Sequence, residues 1–444
     1  MQSNNQLISC TFLMIFSFRS QKILSINYIK VHRLFLWLLG AWPEELFDEK
    51  ISFVTRNHRR SMVIQTACVM MGQFNYLIQN RKEINVFDAG HVCLTISLTV
   101  LTFVRTILLS LNKYGAIIKK FITKFHLENF KHVGKHFDEI NTTTNKISWI
   151  FLRIMLVFVA LGITGFNAIP LYNNYKAGVF SNEKGNDVKY EFSVYYKFPG
   201  FDIIDHFILN TIYSIYLSVN CGIYIPSIDL FLILMMFQMV AHLRALKGSL
   251  NNLSMVDNKI SLEDENDLNS MPVLEMFSNE ENYKIHQRLK AVIDHHRFIV
   301  EFAGELSSFF GPMLGINYLC HLFLCCLSLF ECSQGDANTI SKYGPLTILI
   351  FGQLILISVI FEIVQTESEK LRDELYYVSW ERMNVRNRRT LCIFLQRLQE
   401  PISITSMGMV SVGVQTMAKI LKTTFSYFTF LMSMKDNEQV ASLP

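Results

Sequence analysis

Two glutamates one helical turn apart, Glu301 and Glu305, have the type and the spacing for acid–base chemistry. On one face of a helix, two carboxylates can divide such work, with one donating a proton and the other accepting it. The surrounding sequence offers them neither a nucleophile nor a cluster of metal ligands, which such chemistry would need. We therefore predict a salt bridge or a subunit contact for this pair, and we expect neither a catalytic residue nor an enzyme.

Histidines and cysteines are the other residues that could hold a metal ion. His286, His295 and His296 lie close together in the sequence, but no partner ligand is evident beside them. The cysteines do not form the two C-x-x-C pairs of a zinc site, and buried cysteines commonly behave as small apolar side chains. The sequence thus predicts no metal site and no cofactor, and it leaves the pairing of nine cysteines open: Cys10, Cys68, Cys93, Cys221, Cys320, Cys325, Cys326, Cys332 and Cys392.

Asp229, Arg105 and Arg153 are charged residues inside apolar stretches, where an unpaired charge is costly and often functional. Asp229 follows Pro226, which should kink its helix, and we expect the carboxylate to be paired, hydrated or protonated. Arg105 and Arg153 lie toward the ends of their stretches. We expect both arginines to extend their side chains to the membrane surface.

The elements that must position these residues are long apolar stretches. Hydrophobic residues make up 50% of the 444 residues and charged residues only 18%, against roughly 25% in soluble domains. The net charge of +4 is too small to indicate a nucleic-acid partner, so membrane lipid is the expected surrounding. A span needs about 20 mostly apolar residues. Seven stretches predict an all-α membrane protein with seven transmembrane helices: 61–78, 92–111, 147–172, 207–240, 298–330, 343–364 and 404–433.

Lysine and arginine give the predicted orientation of these helices. They are concentrated before the first span and in the loops after the second, fourth and sixth spans. Because cytoplasmic loops carry the excess of positive charge, the N-terminus is expected in the cytoplasm and the C-terminus outside the cell. The run 31–42 is too short to span. It predicts a re-entrant or interfacial helix, with Trp37 and Trp42 at the level of the lipid headgroups.

This topology divides the chain into four predicted regions. Its inverted orientation disfavours a metabotropic seven-helix receptor, and neither duplicated halves nor a dense set of intramembrane acids favours a transporter or an intramembrane enzyme. An acidic polar stretch, 251–272, predicts a mobile cytosolic loop. The regions are a cytoplasmic N-terminus with the interfacial helix (1–60), transmembrane helices one to six (61–366), a cytoplasmic loop with a helical anchor (367–403), and the seventh helix with a short extracellular tail (404–444).

The last helix carries a polar stripe. Its members recur at steps of three and four, which places them on one side of a helix: Gln415, Lys419, Lys422, Ser426, Thr429 and Ser433. Such a face is expensive toward lipid, so it predicts the wall of an aqueous path, or alternatively hydrogen bonds within the bundle. Two ammonium groups do not suit the narrowest point of a cation pore. We therefore expect Lys419 and Lys422 at its wide inner end, and the constriction near Phe430 and Ser433.

The stretch "PISITSMGMVSVGVQTMAKILKTTFSYFTFL" at 401–431 resembles the signature of insect odorant receptors. Four shorter stretches agree with it: "GAWP" at 40–43, "YYKFPGFD" at 195–202, "HHRFIVEFA" at 295–303 and "ELYYVSW" at 374–380. The resemblance covers nearly the whole chain after about residue 28. The sequence departs from the family pattern at Ser406, Met407 and Gly408, where small-Gly-Lys is usual, and at Gln415 and Lys419.

The resemblance implies an odorant-gated, non-selective cation channel in the plasma membrane of olfactory sensory neurons. It also implies a heterotetramer with a shared co-receptor, in which the last helix of each subunit lines the pore and this chain is the tuning subunit. The intracellular helical ends would form the main subunit contact. The related gustatory receptor family is the closest alternative, and "ILK" with "FSYF" favours the odorant branch.

A volatile ligand is small and apolar, so its site needs aromatic and aliphatic walls with few polar groups. The resemblance places this site in the outer half of the bundle, between spans two, three, four and six. Hydroxyls of Thr211, Tyr213 and Tyr216 could orient one carbonyl or alcohol. The candidate lining residues are His91, Thr95, Leu98, Phe158, Gly162, Phe166, Thr211, Ile212, Tyr213, Tyr216, Thr347, Phe351 and Leu354.

Overall fold

The long apolar stretches form helices in the computed structural model of the chain. The structure describes residues 21–47, 53–82, 84–179, 190–200, 206–254, 276–408 and 410–441. Most of the acidic stretch predicted as a mobile loop, and the first third of the predicted N-terminal region, lie outside these residues. The described helices are α1 (Asn27–Leu38), α2 (Phe53–Gln79), α3 (Val86–Ser110), α4 (Asn112–Lys120), α5 (Lys135–Lys176), α6 (Phe207–Ser254), α7 (Asn279–Cys332), α8 (Ala337–Tyr376), α9 (Val385–Leu398) and α10 (Val414–Ala441).

Shorter elements connect these helices. Three 3₁₀ turns, at Glu44–Phe47, Leu127–Val133 and Trp380–Arg382, and one π turn, Phe121–Phe125, lie between them. Two short antiparallel strands, β1 (Thr405–Ser406) and β2 (Val410–Ser411), precede α10.

Five of the described helices are long and apolar enough to cross a membrane: α3, α5, α6, α7 and α8. The other two predicted spans lie largely in α2 and α10, which are more polar. α6 has 48 residues and α7 has 54, and at 1.5 Å per residue α7 is about 80 Å long. A hydrocarbon core of about 30 Å cannot contain such a helix. Both helices therefore continue beyond the membrane.

The start of α7 is fixed by a capping box. The Ser278 hydroxyl accepts a hydrogen bond from the Glu281 N–H at 3.2 Å, and the Glu281 carboxylate accepts one from the Ser278 N–H at 2.8 Å. Beside this end lies α9, where the Asn387 amide donates to the Asn282 carbonyl at 2.9 Å. The membrane-distal ends of α7 and α8 and the short α9 therefore form one packed unit.

The segment predicted as the start of the seventh helix is instead a β-hairpin. Met407 has φ 52° and Gly408 has φ 70°, which is left-handed backbone that a right-handed helix cannot include. The N–H of Val412 donates to the carbonyl of Ile404 at 3.0 Å, across the hairpin. The prediction that the helix begins at residue 404 is wrong, and α10 begins only at Val414.

The N-terminal helix α1 packs on protein more closely than its sequence suggests. Trp42 is only 2% exposed and stacks on Phe47, with ring centroids 4.9 Å apart. The Tyr224 hydroxyl of α6 donates to the Leu39 carbonyl at 2.9 Å and holds the end of α1. The expectation that Trp42 lies among lipid headgroups is therefore wrong, whereas Trp37 is exposed.

Candidate ligand cavity and pore helix

A cavity lies between α2, α3, α5, α6, α7 and α8. Its volume, counted as the space open to the centre of a water molecule, is about 100 Å³. Aliphatic and aromatic side chains form most of its wall, and a few polar side chains interrupt them. This is the character expected of a site for a small, mostly apolar molecule.

Four of the predicted ligand-binding residues line this cavity: Thr95, Leu98, Gly162 and Phe166. They come from α3 and α5, two of the four helices whose inward faces were predicted to form the wall. The contribution of α6 lies deeper than predicted. It comes from the segment Leu217 to Pro226, which begins directly after the predicted 211–216 positions and extends about three helical turns past them.

The other nine predicted residues lie elsewhere. Phe158, Ile212 and Tyr216 are exposed, and Leu354 is buried in the main hydrophobic core. The remaining five make contacts of their own. The His91 Nδ1 is 2.6 Å from the Tyr343 hydroxyl. The hydroxyls of Thr211 and Thr347 each donate to the backbone carbonyl four residues earlier in their own helix. Tyr213 stacks on Tyr216, and Phe351 packs against the core. A role in ligand binding stays a prediction for all thirteen residues.

Two helices and a connecting segment also contribute to the cavity wall, although their contribution was not predicted from the sequence. α2 contributes residues such as Met62 and Gln65, and α7 contributes His321 and Leu324. The segment 190–200 adds Val194, whose N–H donates to the Ser214 hydroxyl at 2.8 Å. The aromatic run "YEFSVYYKF" was the available signal for this segment, because a solvated loop rarely carries so many large apolar rings.

A buried ion pair stands beside the cavity. Arg105 of α3 donates to the Asp229 carboxylate of α6 at 2.6 Å, and the two side chains are 0% and 3% exposed. The same guanidinium donates to the Asn317 side chain of α7 at 3.0 Å, and Gln353 of α8 donates to Asp229. Four helices thus meet at one charge pair, and Gln353 also lines the cavity.

This pairing corrects one expectation and confirms another. Arg105 does not extend to the membrane surface, because Asp229 neutralises it inside the bundle. Asp229 is paired, which was one of the alternatives predicted for it. Arg153 is exposed, with its guanidinium 5.8 Å from the centroid of the Trp149 ring.

The glutamate pair of α7 binds a lysine of the same chain. The Lys120 ammonium lies 2.9 Å from Glu301 and 2.7 Å from Glu305, which confirms the predicted salt bridge. Of the three histidines, His295 approaches His242 to 2.9 Å and His286 approaches the Asn387 side chain to 3.2 Å. No group of three potential metal ligands occurs within the described residues.

Helix α10 has one packed face and one open face. Met417, Ile420 and Leu421 pack against the main core, and Thr424 is buried; the partners of this face are α7 and α8. The chain leaves every side chain of the predicted pore-lining set exposed: Gln415, Lys419, Lys422, Ser426, Thr429, Phe430 and Ser433.

The first turn of α10 is attached to α8. The Glu362 carboxylate accepts a hydrogen bond from the Val414 N–H at 3.1 Å. A Cβ atom on Gly413 would lie 2.7 Å from the same carboxylate, so a larger residue at this position would make the Glu362 side chain shift. A negative group at a helix N-terminus is also favoured by the helix dipole.

A sequence profile of the family described as 7tm Odorant receptor matches residues 99–425. Odorant receptor 13a of Drosophila melanogaster is 28% identical over 161 residues, which are 33% of this chain and 38% of that protein. Odorant receptor 22c of the same species is 26% identical over 159 residues, 36% of this chain and 39% of that protein. The chain thus spans less than half of the length of these curated relatives.

Solved structures extend the likeness to the whole fold. The insect olfactory receptor OR5 of Machilis hrabei superimposes with a TM-score of 0.67 at 15% identity, over 92% of this chain and 98% of that chain. The structure of the same receptor in complex with eugenol gives a TM-score of 0.68. These matches confirm an all-α, seven-helix, multi-pass membrane fold. The family profile and the curated relatives are those of odorant receptors and not of enzymes. With its profile match over residues 99–425, the chain belongs to the 7tm Odorant receptor family.

Proposed function

We propose that the chain is the odorant-binding subunit of a ligand-gated, non-selective cation channel. A small, volatile, mostly apolar molecule binds in the cavity between α2, α3, α5, α6, α7 and α8, and its binding opens a pore lined by α10. The solved structural neighbour binds eugenol, a molecule of this kind. The apolar wall of the cavity supports the same ligand class here.

The open face of α10 is the observation that carries this proposal. Six polar side chains and Phe430 are exposed on a helix whose opposite face packs against α7 and α8. Lipid is a poor solvent for lysine, so this face requires water or another protein surface. A pore shared with copies of the same fold supplies both. The alternative, hydrogen bonds within the bundle, is not supported, because within the described residues these side chains bond only their own helix.

One chain supplies only one wall of such a pore, so the channel requires further subunits. We propose a heterotetramer with the odorant co-receptor in the plasma membrane of olfactory sensory neurons, with the N-terminus in the cytoplasm. The unit of α7, α8 and α9 supports a subunit contact at the cytoplasmic end, since Tyr377 and Ile393 there are exposed apolar side chains.

Electrophysiology tests the proposal. The chain is expressed with and without the co-receptor, an odorant panel is applied, and whole-cell current is recorded with G-protein signalling blocked. We expect odorant-evoked cation current only in the co-expressed cells, and it should survive the block. Current that disappears under the block alone would favour a metabotropic receptor. Current without the co-receptor would favour a gustatory-type channel.

The open face is tested by reversing one charge in the same cells. Lys422→Glu should change ion selectivity, conductance or assembly and leave the rank order of odorants unchanged. Lys135→Glu is the matched control, because Lys135 is an exposed lysine on α5. A change in odorant rank order alone in Lys422→Glu would contradict the pore assignment.

A further inference from the structure

The cavity contains polar groups that have no partner in the protein. His321 is 1% exposed and lines the cavity, and neither of its ring nitrogens has a hydrogen-bond partner among the described residues. The side-chain amide nitrogens of Gln65 and Asn220 also line the cavity and are likewise unpartnered within the described residues. Buried polar groups left without a partner are costly, so these groups indicate a molecule that bonds to them.

The unpartnered atoms are mainly donors. An amide nitrogen carries two N–H donors and accepts nothing, and a neutral imidazole offers one donor and one acceptor. A carbonyl oxygen carries two lone pairs and no hydrogen, so it matches two such donors. A hydrocarbon of the same shape would enter the cavity and leave the donors without a partner.

The charges beside the cavity exclude ionised ligands. Asn317, which binds the Arg105 guanidinium, is one helical turn before His321 on α7. Asp229 already neutralises Arg105, and Gln353 donates to that carboxylate. Because this pair is neutral as a whole, a protonated amine would be a buried cation without a free anion, and a carboxylate would be a buried anion without a free cation.

Resting on the proposed function, we infer that the cavity selects neutral carbonyl odorants, such as ketones, aldehydes or esters, and that His321 is the residue that anchors the carbonyl oxygen. The anchor lies on α7 and not among the hydroxyls of Thr211, Tyr213 and Tyr216, which the cavity wall does not include. Gln65 and Asn220 are the second donors. The apolar remainder of the odorant packs against the aliphatic wall.

Matched probes test this inference on the co-expressed channel and on the purified complex. The pairs are 2-heptanone with 2-methyl-1-heptene, and acetophenone with α-methylstyrene, in which a methylene group replaces the carbonyl oxygen. Half-maximal concentrations for current and shifts of melting temperature are measured. We expect each ketone to bind about tenfold more tightly than its alkene, the effect of one net hydrogen bond.

Variants assign the effect to the imidazole. His321→Leu should weaken ketone binding about tenfold and leave alkene binding unchanged, and His321→Gln should restore most of the ketone affinity. His32→Leu is the control. His32 is also a buried histidine without a hydrogen-bond partner in the described structure, and it stacks on Phe231 away from the cavity.

The outcomes separate this inference from the proposed function. Equal affinity for ketone and alkene, or an equal loss of both in His321→Leu, would overturn the inference and leave the channel intact. Carbonyl-selective binding without current would sustain the inference and overturn the channel. If neither member of any pair shifts the melting temperature, the assignment of the cavity itself fails, and the inference fails with it.

Discussion

At the residue scale, the pair formed by Arg105 and Asp229 carries the largest energetic consequence. Two charges removed from water cost several kcal/mol each, and only close contact with further hydrogen bonds offsets that cost. Asn317 and Gln353 supply those further bonds from two other helices. The pair therefore specifies how α3, α6, α7 and α8 fit together.

Removing one partner of this pair is expected to be severe. Asp229→Asn leaves the Arg105 charge buried and uncompensated, and it should lower the free energy of unfolding by about 3–5 kcal/mol. The double variant Arg105→Met with Asp229→Leu should recover most of the loss. Thermal unfolding in detergent and the amount of protein at the cell surface measure both.

Arg153→Met is the control for this pair, because Arg153 is an exposed arginine on a neighbouring helix. Its effect should stay within about 0.5 kcal/mol. If Asp229→Asn were as mild as Arg153→Met, the ion pair would not hold the helices together.

The sequence predicts that Asp229 needs a partner but not which one. The cost of a carboxylate in an apolar stretch follows from its chemistry alone. Two arginines in other apolar stretches were available, and Arg105 is 124 positions away in the chain. Only the packing of the helices distinguishes the arginine that faces inward from the one that faces out.

At the element scale, the hairpin before α10 rests on two glycines of α7. A Cβ atom on Gly311 would lie 2.8 Å from the Thr405 carbonyl oxygen, and one on Gly315 would lie 2.8 Å from Met407 Cε. The Ser307 hydroxyl accepts from the Thr405 N–H at 3.1 Å. The hairpin therefore packs closely against the face of α7 that carries these glycines.

Gly311→Ala should displace the hairpin from α7. The added methyl group meets backbone that cannot rotate away, so we expect a loss of about 1–3 kcal/mol in the free energy of unfolding. Gly304→Ala is the control on the same helix, because no atom lies within 4 Å of its added Cβ. It should stabilise α7 by about 0.5–1 kcal/mol. If Gly311→Ala and Gly304→Ala changed the melting temperature in the same direction, the packing of the hairpin against Gly311 would be contradicted.

Helices are predictable here, whereas the hairpin and the depth of the cavity are not. A long apolar stretch predicts each membrane span. The segment 404–413 is also apolar, however, and only the left-handed backbone at Met407 and Gly408 prevents it from being helical. Helical spacing shows which residues share a face. It does not show how far along the bundle a cavity lies, so the predicted positions on α6 were too shallow.

At the scale of the whole molecule, a buried polar network joins the N-terminal segment to the bundle. The His126 Nδ1 accepts from the Glu128 N–H at 3.1 Å, so the neutral ring donates from Nε2 to the Tyr28 hydroxyl at 2.7 Å. Gln238 of α6 donates to the same hydroxyl and accepts from the Leu127 N–H. The network requires a neutral His126.

This requirement makes stability depend on pH. Burial lowers the pKa of His126 from 6.5 to about 3. Between these values the unfolded chain binds the proton and the folded chain does not, so the free energy of unfolding falls as the pH drops below about 6.5. The contribution of His126 approaches about 1.4 kcal/mol per pH unit.

Melting temperatures between pH 7.5 and 5.5 measure this effect. His126→Gln should weaken the pH dependence without abolishing it, because burial also lowers the pKa of His295 and of His296 to about 4. His132→Gln, on the same connection but exposed, should leave the pH dependence as it is. A dependence unchanged in His126→Gln would place the protonation elsewhere.

The bond between Glu362 and the first turn of α10 gives α8 the properties of a lever. Gln353, at the cavity, and Glu362 lie nine residues apart on this helix, which is about 14 Å at 1.5 Å per residue. A stiff rod of that length converts a tilt of about 5° at the cavity into a displacement of about 1 Å at the first turn of α10. On the proposed function, an odorant that tilts α8 at the cavity therefore moves α10 through the hydrogen bond between Glu362 and Val414.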